Sequence, residues 1–410
     1  MEAPASIESA KHILHVFGLI IVAGLACGLL ARKTRLPDVA ILLVAGMLLG
    51  PAGAGWLDVR TDSTLNQLIL IFGASYILFD GGASLRLNVL KKVWITITVL
   101  ATLGVVITAA VTALAAHWIL GLPPVVALLL ASAIASTDPA TLVPVFRQVR
   151  IKDRVAQTVM SESAFNDATG AILTLAVLAV ASGHNEFSVS GALGDLLWQS
   201  IIGIAAGGML GYLAALVIGH EKYDFLVEYA PIVSLVAVLG AYVGADNLQA
   251  SGFMAVFVFG IVIGNKDIFG FEMAPAETKK LDDFILTTAF VMRVFIFILL
   301  GSQVDFVLMR EHWAGGMMVV LVLMFIARPL AVYACALPDR RARWSSNEML
   351  FMCWTRETGV IPGALAGILL GMHAPGAPVI ASVTFIAILM TILIQATTTR
   401  WLAEKLGLLL

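Results

Sequence analysis

The chain predicts an all-α, polytopic membrane fold, and three observations carry that prediction. Of its 410 residues, 60% are apolar and only 13% charged, with a mean hydropathy of +0.96; a soluble domain carries roughly 25% charge. Apolar stretches of about 18–25 residues, each long enough to cross a bilayer, recur from end to end. Lysine and arginine fall almost entirely in alternate connections, which is the pattern of the positive-inside rule.

The elements follow in order. The first stretch, 12–31, comes after an acidic N-terminus without a basic n-region or a convincing cleavage site, so it reads as a spanning helix and not a signal peptide. Further spans are expected at 38–52, 64–83, 94–119, 124–147, 155–182, 191–218, 226–244, 249–264, 283–304, 313–337, 347–372 and 377–399, about thirteen in all. Pro, Gly or charged residues punctuate the short connections. The whole chain, 1–410, reads as one transmembrane transporter domain with no soluble regulatory domain.

One set of loops holds Arg32, Lys33, Arg35, Arg86, Lys91, Lys92, Arg147, Arg150, Lys152, Arg154, Lys222, Lys266, Lys279, Lys280, Arg340, Arg341 and Arg343, joined by Arg400 and Lys405 at the C-terminus. The other side holds only Lys11, Arg60 and Arg310. This bias puts the N-terminus outside and the C-terminus in the cytoplasm, as an odd number of spans requires. Cys27, Cys335 and Cys353 lie in apolar segments without metal-ligand spacing and read as core residues. No basic patch interleaved with aromatics points to nucleic acid.

Two spans carry a helix-breaking signature at mid-depth. The fifth contains Ser136-Thr137-Asp138-Pro139, and the twelfth contains Arg356-Glu357-Thr358-Gly359-Val360-Ile361-Pro362-Gly363. Because the two cross in opposite directions, they match the interrupted helices of inverted repeats that mark a transporter's binding site. The alternative, a pair of ordinary proline kinks, leaves the charge at both breaks unexplained.

Span six is the sharpest feature. Glu162, Ser163, Asn166 and Asp167 pair as i,i+4 neighbours on one broad helix face. Asp167 lies about 18 Å deep, counted at 1.5 Å per residue, and Asp138 reaches a similar level, so the two can meet at the midplane. An ionisable group at that depth is costly and marks function by default. Carboxylate, hydroxyl, amide and carbonyl oxygens suit a hard cation. The seven histidines lie near span ends or in loops, so any proton must ride on a carboxylate. Burial raises a carboxylate's pKa and a bound cation lowers it, which is a sufficient basis for exchange. The competing reading makes both aspartates structural, capping broken helices or pairing with arginines.

Among the buried arginines, Arg328 can pair with Glu162, which favours a structural role for Glu162 over an ion-carrying one. Arg356 and Glu357 can offset the partial charges of half-helix ends at the second break. Arg293 either snorkels or pairs locally. Asp80, toward the cytoplasmic end of span three, either lines an inner access route or is a solvated interfacial group.

At these residues the chain resembles the NhaP-type monovalent cation/proton antiporters, which include sodium/proton exchangers. The resemblance rests on Arg35-Leu36-Pro37 running into Gly46-Met47-Leu48-Leu49-Gly50-Pro51, then Leu78-Phe79-Asp80-Gly81-Gly82, with Asp for the usual Glu. Thr137-Asp138-Pro139, Glu162-Ser163 with Asn166-Asp167, Ser251-Gly252 running to Gly264-Asn265, and Arg328-Pro329 follow in the family's order. Ala168 stands where Pro is common, and Arg356 to Pro362 is longer than the usual Arg-Gly-x-x-Pro.

The resemblance implies a homodimer in the prokaryotic cytoplasmic membrane. It implies a dimerisation part, roughly 12–52 and 191–264, and a core, roughly 64–182 and 313–399, built on the two crossed, broken helices. It implies that Asp167 takes cation and proton alternately. Thr137 would offer its carbonyl, Ser163 its hydroxyl and Asp138 a carboxylate to Na⁺, while Asn166 holds the crossing and Glu162 pairs with Arg328. An Asn-Asp pair implies electroneutral, one-for-one exchange. The expected activity is Na⁺/H⁺ antiport serving pH homeostasis by alternating access, with no cofactor and no enzymatic chemistry. K⁺/H⁺ antiport is the alternative. An intramembrane aspartyl protease would also need two aspartates on neighbouring spans, but its Gly-x-Gly-Asp signature is missing. An ion channel suits the buried arginines and paired breaks poorly.

Overall fold

A computed structural model describes residues 5–34, 36–60, 63–182, 189–219 and 226–410; Arg35 of the opening motif and the loop residue Lys222 lie outside them. The described residues fold into helices α1 (Ala5–Thr34), α2 (Asp38–Leu49), α3 (Thr64–Ala83), α4 (Leu87–Val99), α5 (Val105–Leu120), α6 (Pro124–Ala133), α7 (Pro139–Gln148), α8 (Asp153–Ala181) and α9 (Val189–Gly219). Then come α10 (Ala230–Asn247), α11 (Gly252–Gly264), α12 (Pro275–Ser302), α13 (Phe306–Val322), α14 (Arg328–Ala336), α15 (Ser346–Trp354), α16 (Val360–Gly371), α17 (Ala377–Met390) and α18 (Thr397–Lys405). Among the described residues, nine stretches are long and apolar enough to cross a membrane alone; α2, α6, α11 and α16 are shorter apolar helices.

Local chemistry sets the helix ends. Ser63, Ser251 and Asp305 accept hydrogen bonds from the first-turn amides of α3, α11 and α13. Ser345 and Glu348 close a capping box on α15. Pro275 opens α12 at a position where its missing N–H costs nothing, so that helix starts before the expected 283. The fourth span likewise begins earlier than expected, at Leu87. The fifth and twelfth expected spans are each two half-helices, α6/α7 and α15/α16.

Among the described residues, three spans contain π-helical turns, at Leu100–Gly104 between α4 and α5, Leu323–Ala327 between α13 and α14, and Thr391–Ala396 between α17 and α18. The first packs on α14 and the second on α5, so spans four and eleven reciprocate. Such turns concentrate at functional sites, and the second runs straight into Arg328.

Small residues let backbones touch. A Cβ on Gly82 would strike the Phe257 carbonyl, and one on Gly260 or Gly264 would strike the Phe79 or Ala83 carbonyl, which locks α3 to α11. Gly46 and Gly301 meet the backbones of Ile298 and Leu43 in the same way between α2 and α12. Without a hydrophobic drive between helices in lipid, this close approach is a main source of association.

Polar staples hold the helix ends. Asn265 donates to the Leu85 and Ile261 carbonyls and accepts from the Leu87 amide, tying α11 to the α3–α4 turn. At the C-terminus, the Lys152 amide donates to the Leu408 carbonyl and the Leu410 amide to the Arg150 carbonyl, around a bridge between Ile151 and Leu409. Asp339 organises the α14–α15 connection by accepting from the Thr96 hydroxyl (2.6 Å) and from the amides of Arg341 and Ala342. Trp344 in turn donates to Thr96 (2.8 Å). Burial alone would raise the Asp339 carboxyl, but these donors outweigh it and hold the group below the ordinary carboxylate value.

Gly260→Val will force α3 and α11 apart, costing about 1–3 kcal/mol or more and lowering the melting temperature of the detergent-solubilised protein. Because its folded pKa is depressed, Asp339 contributes stability at neutral pH that fades as pH falls through that lowered value. Asp339→Asn is therefore expected to lower the melting temperature at neutral pH, and the gap to the parent should close in acid.

Candidate functional site

The two helix breaks meet. Between α6 and α7 the chain unwinds through Ile134–Asp138, and between α15 and α16 through Thr355–Gly359. Pro139 sits at the first position of α7, where it can start a helix but not continue one. Asp138, which is 1% exposed, accepts from the Ala140 amide through Oδ1 at 2.9 Å and from the Val360 amide through Oδ2 at 2.8 Å. One carboxylate thus caps the positive N-terminal ends of both α7 and α16. The Thr141 hydroxyl adds a third bond at 3.2 Å, and the Asp138 amide donates to the Glu357 carbonyl at 2.8 Å. Gly359 permits this approach, since a Cβ there would occupy the space of the Asp138 carboxylate.

Arg356 completes the pattern with the opposite sign. Its guanidinium donates to the carbonyls of Ile134, Ala135 (2.9 Å) and Ser136 (3.4 Å), the freed acceptors at the negative C-terminal end of α6. The second break is further tied down where the Thr358 amide donates to Thr391 Oγ1 at 2.9 Å. Glu357 is fully buried, and neither of its carboxylate oxygens has a hydrogen-bond partner among the described residues.

Helix α8 runs unbroken past this crossing. Asn166 accepts from the Thr137 amide (3.0 Å) and donates to Thr137 Oγ1 (2.8 Å) and Glu162 Oε1 (3.1 Å). Thr137 Oγ1 donates in turn to Ser163 Oγ at 2.8 Å. Ser136 lies against Gly170, one turn along α8 from Asp167. Asp167 is 2% exposed, and neither of its carboxylate oxygens has a hydrogen-bond partner among the described residues. Asp138 and Glu162 are its carboxylate neighbours within electrostatic range. The two aspartates thus share one region but differ: Asp138 accepts from three donors, whereas Asp167, with the Ser136 hydroxyl beside it, closes no hydrogen bond among the described residues.

Glu162 and Arg328 form a buried, two-pronged ion pair at 2.7 and 2.8 Å, and Arg328 Nε donates to the Met352 carbonyl. Arg293 lies 3.6 Å from Asp38, so of its two readings local pairing is the one found. Asp80 is 1% exposed, which corrects the reading of it as a solvated interfacial group. Gly81 and Gly82 let Val143 of α7 and Phe257 of α11 pack over that turn of α3 and close it from water.

Thr141 and Thr391, which complete the polar frame, were not singled out from the sequence. A threonine in a membrane helix normally satisfies its hydroxyl on its own backbone, so neither stood out. For Thr141 the signal was its place one turn from the first break; Thr391, on the last span, carried none.

A family model described as the transmembrane sodium/hydrogen exchanger matches residues 18–405. The chain belongs to the sodium/hydrogen exchanger family. That is a transporter family, not a catalytic one, and the protease alternative falls with it. Among its exchanger relatives, Na(+)/H(+) antiporter 1 of Methanocaldococcus jannaschii is 30% identical over 95% of this chain and 94% of its own length. The K(+)/H(+) antiporter NhaP of Alkalimonas amylolytica is 29% identical over 96% of this chain and 67% of its own. The structure of the sodium proton antiporter MjNhaP1 from Methanocaldococcus jannaschii at pH 8 superposes with a TM-score of 0.78 at 29% identity, covering 96% of this chain and 99% of that one.

Glu162→Gln will leave Arg328 uncompensated in the bilayer and cost about 3–5 kcal/mol, read as a fall in melting temperature. The double variant Glu162→Gln/Arg328→Met should recover much of that loss. Gly359→Ala must push Asp138 off the Val360 amide; transport should fall severely while the protein still reaches the membrane, as measured by flux per molecule in proteoliposomes.

Proposed function

We propose that the protein is a secondary-active antiporter that exchanges Na⁺ for H⁺ across the prokaryotic cytoplasmic membrane by alternating access. The observation that carries this reading is the Asp167 carboxylate, buried on a continuous helix beside the crossing, with oxygens that close no hydrogen bond among the described residues. A charge so placed is strongly disfavoured unless a proton or a cation neutralises it. Two ligands that compete for one carboxylate, each binding in its turn, give exchange without a further device.

The surrounding residues divide the work. Asp167 is the shared site, with Ser163 and the Thr137 carbonyl as oxygen ligands for the cation and Asp138 supplying nearby negative charge. Three donors occupy the Asp138 carboxylate, so it shapes the site rather than carrying the proton. Asn166 fixes α8 to the first break, the Glu162–Arg328 pair anchors α8 to α14, and Arg356 neutralises the exposed end of α6. Glu357, whose carbonyl takes the Asp138 amide, and Asp80 on α3 are further buried carboxyl groups of the core. We further infer thirteen crossings with the N-terminus outside, a homodimer, and a core (64–182 and 313–399) that moves against the dimerisation part (12–52 and 191–264).

A second reading, K⁺/H⁺ antiport by the same mechanism, is favoured by the relative from Alkalimonas amylolytica, which carries that name. Dequenching of a pH-sensitive dye in proteoliposomes, titrated with Na⁺, K⁺ and Li⁺ at several pH values, separates the two. The half-saturating cation concentration should rise as pH falls, because protons compete for Asp167. Asp167→Asn should abolish exchange with folding preserved; normal Na⁺-dependent proton flux from that variant would sink the proposal. Accumulation of cation against its gradient, driven by protons, distinguishes the antiporter from a channel.

A further inference from the structure

Away from the crossing, a cavity of about 480 Å³ opens between the end of α1, the start of α2, α12 and α18. Its walls are apolar where Leu25, Leu29 and Phe290 line it, and two arginines, Arg32 and Arg400, stand at its rim. Both arginine side chains are exposed, and neither has a hydrogen-bond or ion-pair partner among the described residues. Asp38 is the acidic member of the lining, but Arg293 lies 3.6 Å from it and already answers its charge. The cavity therefore carries an excess of positive charge above a hydrocarbon floor.

Its level in the bilayer is legible from its neighbours. Leu25 and Leu29 are 66% and 62% exposed, as lipid-facing residues are. Trp401, next to Arg400, is 54% exposed with the Lys405 ammonium 4.4 Å over its ring. Tryptophan and basic residues together mark the headgroup zone. The cavity spans the boundary between acyl chains and headgroups on the face where the basic residues concentrate.

We propose that this cavity binds an anionic phospholipid, with Arg32 and Arg400 on its phosphate and its acyl chains against Leu25, Leu29 and Phe290. A guanidinium fork matches phosphate oxygens better than an ammonium does, and basic pockets between membrane helices on the basic face are suited to acidic headgroups. The occupant would join α1 to α18, two helices at opposite ends of the chain. Neither arginine belongs to the transport site, so the proposal stands apart from the exchange mechanism.

The test uses the full chain in detergent, titrated separately with phosphatidylglycerol, phosphatidylcholine and inorganic phosphate, and read by native mass spectrometry and thermal shift. Phosphatidylglycerol should be retained at one molecule per chain and raise the melting temperature, while the other two do neither. Arg32→Gln/Arg400→Gln should weaken phosphatidylglycerol binding by about tenfold or more. Arg340→Gln/Arg341→Gln, on the same face but outside the cavity, should leave it unchanged. Leu29→Trp, which fills the cavity without altering charge, should also lose the lipid. Unchanged binding in the Arg32/Arg400 variant, or equal loss in the Arg340/Arg341 variant, overturns the proposal. So does stabilisation by inorganic phosphate alone, or a Leu29→Trp variant that alters oligomeric state yet keeps the lipid.

Discussion

Backbone unwound at membrane depth must find partners within the protein, since hydrocarbon offers none. That constraint organises the centre of this molecule. Two interrupted helices each release amides at one end and carbonyls at the other, and each supplies the charge the other needs. Asp138, from the first break, collects amides from α7 and α16. Arg356, from the second, covers the carbonyls that end α6. The main-chain bond from Asp138 to Glu357 then fixes their spacing.

Once the crossing is neutralised from within, the helix beside it is free to carry a group that is not. Asn166 bonds both the amide and the hydroxyl of Thr137, which sets the height of α8 against the break. Glu162 and Arg328 hold the same helix to α14 through a pair that is costly to disrupt and hard to displace. Asp167 follows one turn on from Ser163, whose hydroxyl is engaged by Thr137, and its own oxygens close no hydrogen bond among the described residues. Its openness to an exchangeable cation or proton is a consequence of how fully its surroundings are satisfied.

Close glycine contacts make this arrangement possible. Gly359 lets one break reach the other, and Gly82, Gly260 and Gly264 bring α3 against α11 so that Asp80 is sealed beneath them. In lipid such contacts replace the hydrophobic drive that packs a soluble core. The π-helical turns at Leu100–Gly104, Leu323–Ala327 and Thr391–Ala396 interrupt three of the surrounding spans.

Much of this architecture is legible in the sequence. Composition and span length declared a helical membrane protein, because the bilayer imposes both. Asp138 with Pro139, and the charged run from Arg356 to Gly363, announced the breaks, since charge and proline have no bland place in a membrane helix. The i,i+4 spacing on α8 marked Glu162, Ser163, Asn166 and Asp167 as one face because helical geometry is local. What the sequence could not decide was which polar groups consume one another. Whether Asp80 meets water, whether Arg293 snorkels or pairs, and which of Asp138 and Asp167 is already saturated all depend on residues scores of positions apart. Only the tertiary structure brings the Val360 amide to Asp138 and leaves the Asp167 oxygens with no closed hydrogen bond among the described residues, because hydrogen-bond satisfaction is a property of neighbours in space and not along the chain.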